Sequence, residues 1–155
     1  MKILVIIVSY NFMPWIDRCL GSLRKLDEPV DVMVVDNHSQ DDTVSTIRKH
    51  YPEVRLLENK ENLGFGRANN MGINYAVKED YEGVLLLNQD AWIDDNTITG
   101  LVNVARRHTE FGILSPIHLT GNGDRIEHGF SDYTGLTSLD NLPSEEVMEV
   151  GFINA

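Results

Sequence analysis

One cysteine, Cys19, stands in 155 residues. That excludes an intrachain disulfide and a zinc cluster built on cysteines, and it suits a reducing compartment. Five histidines are scattered with no pair at i, i+4, so helical zinc spacing is missing. Positive charge is scarce: 13 Lys and Arg against 24 Asp and Glu give a net charge of -11. Such a surface disfavours nonspecific binding to nucleic acid or to anionic membranes. A polyanionic ligand would need local help from a cation or from backbone N–H groups. Long apolar runs are absent too. MKILVIIVSYN opens like a signal peptide, but its apolar run is too short to span a bilayer and no small-residue cleavage site follows. There is no G-x-S-x-G elbow and no P-loop, so acyl transfer and P-loop phosphoryl transfer lack support. Internal repeats and low-complexity tracts are missing as well.

What is there reads as one α/β chain. Ile3 to Val8 is a continuous β-branched run, expected as a strand covered on both faces. Pro14 suits the first position of a helix, with Trp15, Ile16, Cys19, Leu20, Leu23 and Leu26 at helical spacing. Cys19 falls in that pattern as a core residue. Val30 to Val35 predicts a second strand. Ser39-Gln40-Asp41-Asp42 supplies helix caps for a helix through Val44, Ile47 and His50. Val54 to Leu57 predicts a third strand. Gly64-Phe65-Gly66 opens a helix to about Val77. Val84 to Leu87 predicts a fourth, buried strand, and Asn96 to Arg107 a further helix. Ile113 to Ser115 reads as another strand. The alternation predicts a mostly parallel sheet with helices on both faces.

After Pro116 the character changes. Ile117-His118-Leu119 and Arg125-Ile126-Glu127 flank Gly121-Asn122-Gly123-Asp124, a hairpin signal. Phe130 to Pro143 reads as loop. The chain stops inside an apolar stretch, Val147 to Ile153, which reads as a cut edge whose exposed surface would favour self-association.

In a parallel sheet three strand ends converge at the edge where ligands bind. They carry Ser9 and Asn11, Asp36 and Asn37, and Asn88-Gln89-Asp90. Asp36 could accept hydrogen bonds from a base or a ribose, or be a turn residue beside an Asn37 Asx-turn. Ser9 and Asn11 could touch the same nucleotide, or cap the helix before Pro14. A carboxylate such as Asp90 suits Mg²⁺ or Mn²⁺ shared with a substrate phosphate, or simply ends a strand in a turn. Gly64-Phe65-Gly66-Arg67-Ala68-Asn69 lacks the third glycine of a dinucleotide fingerprint and follows the third strand rather than the first, so the NAD-type reading fails on context. A helix N-terminus able to meet phosphate or sugar hydroxyls remains. Asn69 and Asn70 could reach a ligand there, or bond the local backbone. Arg67 is the nearby cation, or a solvated side chain.

Taken together, VIIVSYN, LGSL, VVDNHSQDDT, NLGFGRANNMGI, LLLNQDA and IHLTGNGDRIEHG resemble glycosyltransferase family 2, especially its rhamnosyltransferase-like branch. The resemblance runs in order over nearly the whole chain. It implies an A-type glycosyltransferase fold: a Rossmann-like α/β sheet over 1–155, with 115–155 starting an acceptor-side region. It also implies a nucleotide-diphosphate sugar donor (UDP- or dTDP-linked), a divalent metal, Mg²⁺ or Mn²⁺, and a glycan or lipid-linked acceptor. By position Ser9, Asn11, Asp36 and Asn37 would hold the nucleoside, while Gly64, Asn69 and Asn70 would lie along the donor. Asn88-Gln89-Asp90 stands where the family has D-x-D, with Asp90 as metal ligand. Asn88 departs from the strict motif, which would make metal affinity lean on the donor pyrophosphate. Inverting transfer is implied, with a carboxylate base expected beyond Ala155; Glu127, Asp132 and Asp140 are not given that role. A cytoplasmic location follows, peripheral at the inner membrane face in one variant. The rivals are a noncatalytic nucleotide-sugar module, or an inactive fragment. A nucleotidyltransferase would want a Gly- and Arg-rich loop after the first strand. A phosphoreceiver would want an acidic pair there, which Ser9-Tyr10-Asn11 does not supply.

Overall fold

The computed structural model describes residues 1–144 and 147–150. The chain divides into two compact units, Met1–Asn96 and Thr97–Ala155. The first is a βα alternation: β1 (Ile3–Ser9), α1 (Ile16–Leu23), β2 (Asp31–Asp36), α2 (Thr43–His50), β3 (Arg55–Glu58), α3 (Phe65–Lys78) and β4 (Gly83–Leu86). All pairings are parallel, in the order β3-β2-β1-β4. Connections run one way from β1 to β3 and then return past β1 to β4. Right-handed crossovers therefore put α1 and α2 on one face and α3 on the other.

Burial follows from that layering. Leu4 to Ser9 are all buried, as the β-branched run predicts for a strand between two helical layers. On one face Leu4, Ile6, Val8, Met33 and Val35 pack with Ala68 and Ala76 of α3. Gly72 lets α3 approach β1 closely: a Cβ there would lie 2.7 Å from Cγ2 of Ile6. Val5, Ile7 and Val34 alternate to the opposite face, where α1 buries Ile16, Cys19, Leu20 and Leu23.

Several expectations need correcting. Val84 to Leu87 is not a fully buried strand. Among the described residues β4 is an edge, and Val84 and Leu86 are each 40% exposed. Pro14 precedes α1 rather than starting it, because Trp15 and Ile16 both donate to the Phe12 carbonyl in a turn. The cap expected within Ser39-Gln40-Asp41-Asp42 does form: Asp42 holds the cap position of α2 and Asp41 accepts from the Thr43 N–H at 3.0 Å.

In Thr97–Ala155 the helix α4 (Thr97–Arg107) forms as expected. Ile113 to Ser115 forms no strand. The hairpin narrows to one antiparallel bridge, Leu119 to Ile126, closed by Thr120 N–H to the Arg125 carbonyl at 2.8 Å. Phe130 to Pro143 is not all loop. Glu127 caps α5 (His128–Thr134) by accepting from Phe130 N–H, and Gly135 closes it in the left-handed conformation. A 3₁₀ turn, η1 (Leu139–Asn141), follows. Of the last apolar stretch, 147–150 carries no regular element and 151–153 lies outside the described residues. No helix among the described residues is long and apolar enough to cross a membrane.

Candidate functional site

The C-terminal ends of β1, β2 and β4 meet at one edge of the first unit. β1 lies between strands whose connections run in opposite directions, and a crevice opens at such a point. Here it is a cavity of about 310 Å³ lined by Val8, Tyr10, Asn37, Asn62, Phe65, Asn88, Gln89 and Asp90. Of the expected residues Asn37, Asn88, Gln89 and Asp90 line it. Ser9, Asn11, Asp36, Gly64, Asn69 and Asn70 do not.

Behind the lining stands a polar frame. Asp36 is 2% exposed. Its Oδ1 accepts from Ser9 Oγ at 2.9 Å and from Ser39 Oγ, and its Oδ2 accepts from Ser39 N–H at 3.0 Å. Ser39 Oγ accepts in turn from Asn11 N–H at 2.9 Å, and Asn11 Oδ1 accepts from Gln40 N–H. Asn11 sits at φ 53°, a left-handed conformation that an asparagine tolerates. Thr43 Oγ1 accepts from Phe12 N–H at 2.8 Å. Burial alone would raise the Asp41 carboxyl, but the hydrogen bonds from Thr43 and the Met13 N–H outweigh it and hold the group below the usual range.

Asn37 ties β2 to the loop before α3. Its Nδ2 donates to Asn62 Oδ1 at 2.7 Å, while its Oδ1 accepts from Asn59 Nδ2 and from Leu63 N–H. Asn62 Oδ1 also accepts from Gly64 N–H at 2.9 Å. Gly64 caps α3 at φ 81°, which favours glycine. These bonds set Phe65 at the cavity, 47% exposed. Asn69 is buried in α3; Asn70 and Arg67 are exposed.

The β4 end is more open. Asn88 and Asp90 are exposed, and a turn brings Ala91 N–H to the Asn88 carbonyl at 3.0 Å. Beneath it Cys19 Sγ lies 3.9 Å from the same carbonyl. Burial, and then the Asp90 charge, push the thiol up to about 12, so it stays protonated at neutral pH. Arg18 of α1 stacks over the ring of Trp92, two residues past Asp90.

Tyr10, Asn62 and Phe65 are the lining side chains that sequence reasoning missed. The signal for the two rings was an aromatic directly beside a strand-end polar residue and beside a helix-opening glycine.

Residues 4–146 match the family model described as glycosyl transferase family 2. The N-acetylglucosaminyl-diphospho-decaprenol L-rhamnosyltransferase of Mycobacterium tuberculosis is 33% identical over 124 residues, covering 73% of this chain and 40% of the relative. The structure of S. aureus TarS 1-349 in complex with UDP-GlcNAc superposes with a TM-score of 0.60 at 28% identity, over 70% of this chain and 32% of that one. The mannosyltransferase PcManGT from Pyrobaculum calidifontis, in complex with GDP-Man and Mn2+, gives 0.59 at 29% identity, over 67% and 32%. The chain thus spans well under half the length of each.

Proposed function

The chain belongs to glycosyl transferase family 2 and has the A-type, Rossmann-like fold, and from that premise we propose that Met1–Asn96 binds a nucleotide-diphosphate sugar. The donor would be UDP- or dTDP-linked and would glycosylate a hydroxyl of a glycan or lipid-linked acceptor with inversion. One observation carries this reading: the cavity at the switch point of the sheet combines two aromatic rings, Tyr10 and Phe65, with the Asp90 carboxylate. Exposed rings suit the face of a base. Asn37 and Asn62 would meet its edge or the ribose. Ser9, Asn11 and Asp36 serve the nucleoside by fixing the turn that carries Tyr10. By position Gly64 and Asn70 would lie along the donor at the start of α3, where free N–H groups favour anionic oxygens, with Asn69 buried behind them.

A divalent ion fits Asp90 only as a shared ligand. Among the described residues no group of three His, Cys, Asp or Glu could hold a metal. One exposed carboxylate beside the Asn88 amide leaves the remaining positions to diphosphate oxygens and water, as Mg²⁺ and Mn²⁺ accept. Bound there, the ion supplies Lewis-acid stabilisation to the departing diphosphate. Asp90 would hold the ion and through it orient the diphosphate. A cytoplasmic location goes with this reading, since Cys19 is a free, buried thiol.

No residue of the chain is assigned as the base. Glu127 caps α5, Asp132 pairs with His128 at 3.0 Å, and Asp140 accepts from Ser138. A second reading is a noncatalytic donor-binding module, which binds donor without transfer. Calorimetric titration of nucleoside diphosphates and their sugars, with and without Mn²⁺, tests the proposal. Metal-dependent binding of one diphosphate, lost in Asp90→Ala, is the expected result. Donor binding unaltered by Asp90→Ala would remove Asp90 from the site.

A further inference from the structure

Gln89 lines the cavity, yet its amide is already engaged. Its Oε1 accepts from the Tyr10 backbone N–H at 2.9 Å, and its Nε2 donates to the Tyr10 carbonyl at 3.2 Å. One side chain thus satisfies both backbone groups of one residue. The place where it does so is telling. The β1–β4 ladder ends at Ile6 and Leu86, with a last bond from Leu87 N–H to the Ile6 carbonyl. Beyond that point β4 turns away through Asn88, while β1 runs on beside β2 to Ser9. Extending the ladder register (Ile3 opposite Gly83) would set Tyr10 opposite Asp90. The backbone rung that Tyr10 would need there is missing, and the Gln89 amide stands in for it.

We propose that Gln89 is a positioning residue: a side-chain rung that locks Tyr10 to the Asp90 turn and so holds the aromatic wall and the acidic end of the cavity at a fixed spacing. This rests on the donor reading above for its purpose, and on the Gln89–Tyr10 pair alone for its geometry. The pair needs an amide. Asparagine is one methylene too short, and methionine of similar length neither accepts well nor donates. Tyr10 is also held from its far side, through Ser39 and Gln40 on Asn11, so loss of Gln89 should free Tyr10 locally without unfolding the sheet.

The experiment is residue-resolved hydrogen exchange of the ligand-free chain by NMR, paired with calorimetry. In wild type the Tyr10 amide is protected. In Gln89→Met its exchange rises by roughly tenfold or more, the scale of one lost hydrogen bond, while the amides of Ile6 and Val34 are unchanged. In Gln89→Asn, whose amide is one methylene short of the Tyr10 backbone, exchange rises likewise. Nucleoside diphosphate binding with Mn²⁺ then weakens in Gln89→Met in step with the loss of Tyr10 protection. Unaltered Tyr10 exchange in Gln89→Met overturns the proposal. So does binding lost while Tyr10 protection persists, because Gln89 would then be a direct ligand. A wild-type chain that binds no nucleoside diphosphate overturns the donor reading instead, and the exchange data still decide whether Gln89 holds Tyr10.

Discussion

Two carboxylates end two parallel strands of one sheet, and they live differently. Asp36, ending β2, is 2% exposed and accepts three hydrogen bonds from Ser9 and Ser39. Asp90, past the end of β4, is exposed and lines the cavity. Residue type and place in the topology are alike; neighbours make the difference. β2 lies between β1 and β3, so its end is walled by the loops after both. β4 has one described neighbour, and Asn88 and Asp90 past its end are exposed. A carboxylate with its lone pairs already used builds the site, and one facing solvent is available to a ligand. The largest expected effect breaks the first half of that contrast. Asp36→Ala strands the buried Ser9 hydroxyl and the half-buried hydroxyl and N–H of Ser39, at a cost of roughly 2–4 kcal/mol. Urea denaturation checks it; an unchanged midpoint would show that the frame does not depend on Asp36. The same assay on Asp90→Ala should stay within about 0.5 kcal/mol of wild type, as for an ordinary surface change.

The next effect lies in the packing beneath both ends. A methyl at Gly72 meets Cγ2 of Ile6 at 2.7 Å, and that branch of a fully buried isoleucine has nowhere to swing. Helix propensity favours alanine by about 1 kcal/mol, but overpacking of this kind costs about 1–3 kcal/mol. We expect Gly72→Ala to lower the melting temperature. A rise would mean that α3 can lift off β1 without penalty, and that the spacing of Tyr10 and Phe65 is softer than the hydrogen bonds suggest.

How much of this could be read beforehand divides along the same line. β1, β2 and α1 were legible because burial on both faces writes a continuous apolar run, and burial of one helix face writes a 3.6-residue period. That β4 is an edge was not legible, because Val84 and Leu86 look like core residues and strand order is not encoded locally. Beyond Asn96 the signal weakens. Ile113 to Ser115 has the composition of a strand but no partner in the described sheet. His128–Thr134 is helical because Glu127 and Gly135 cap its ends, although its interior looks like loop. At the site, the strand-end residues could be listed from sequence. The Gln89–Tyr10 pair could not, since it depends on the register of two strands 79 residues apart.

The smallest effect sharpens the contrast by pH. Asp41 sits in the same frame as Asp36 but near the surface, and it accepts from Thr43 and from the Met13 N–H. Burial pulls its carboxyl up, and the hydrogen bonds pull it down by more, so the folded value lies below the unfolded one. The sign follows directly. A depressed carboxyl stabilises the fold above its unfolded value, about 3.9, and that contribution fades as pH falls through the folded value. Asp41→Ala also removes the cap of α2, typically worth about 1 kcal/mol. Its urea midpoint should therefore fall below wild type at pH 7, and the gap should narrow as pH falls below the unfolded value of about 3.9 and through the depressed folded one. A gap that stays constant with pH would mean that Asp41 caps α2 equally well when neutral. Charge would then matter at the open Asp90 end of the sheet and not in the frame behind it.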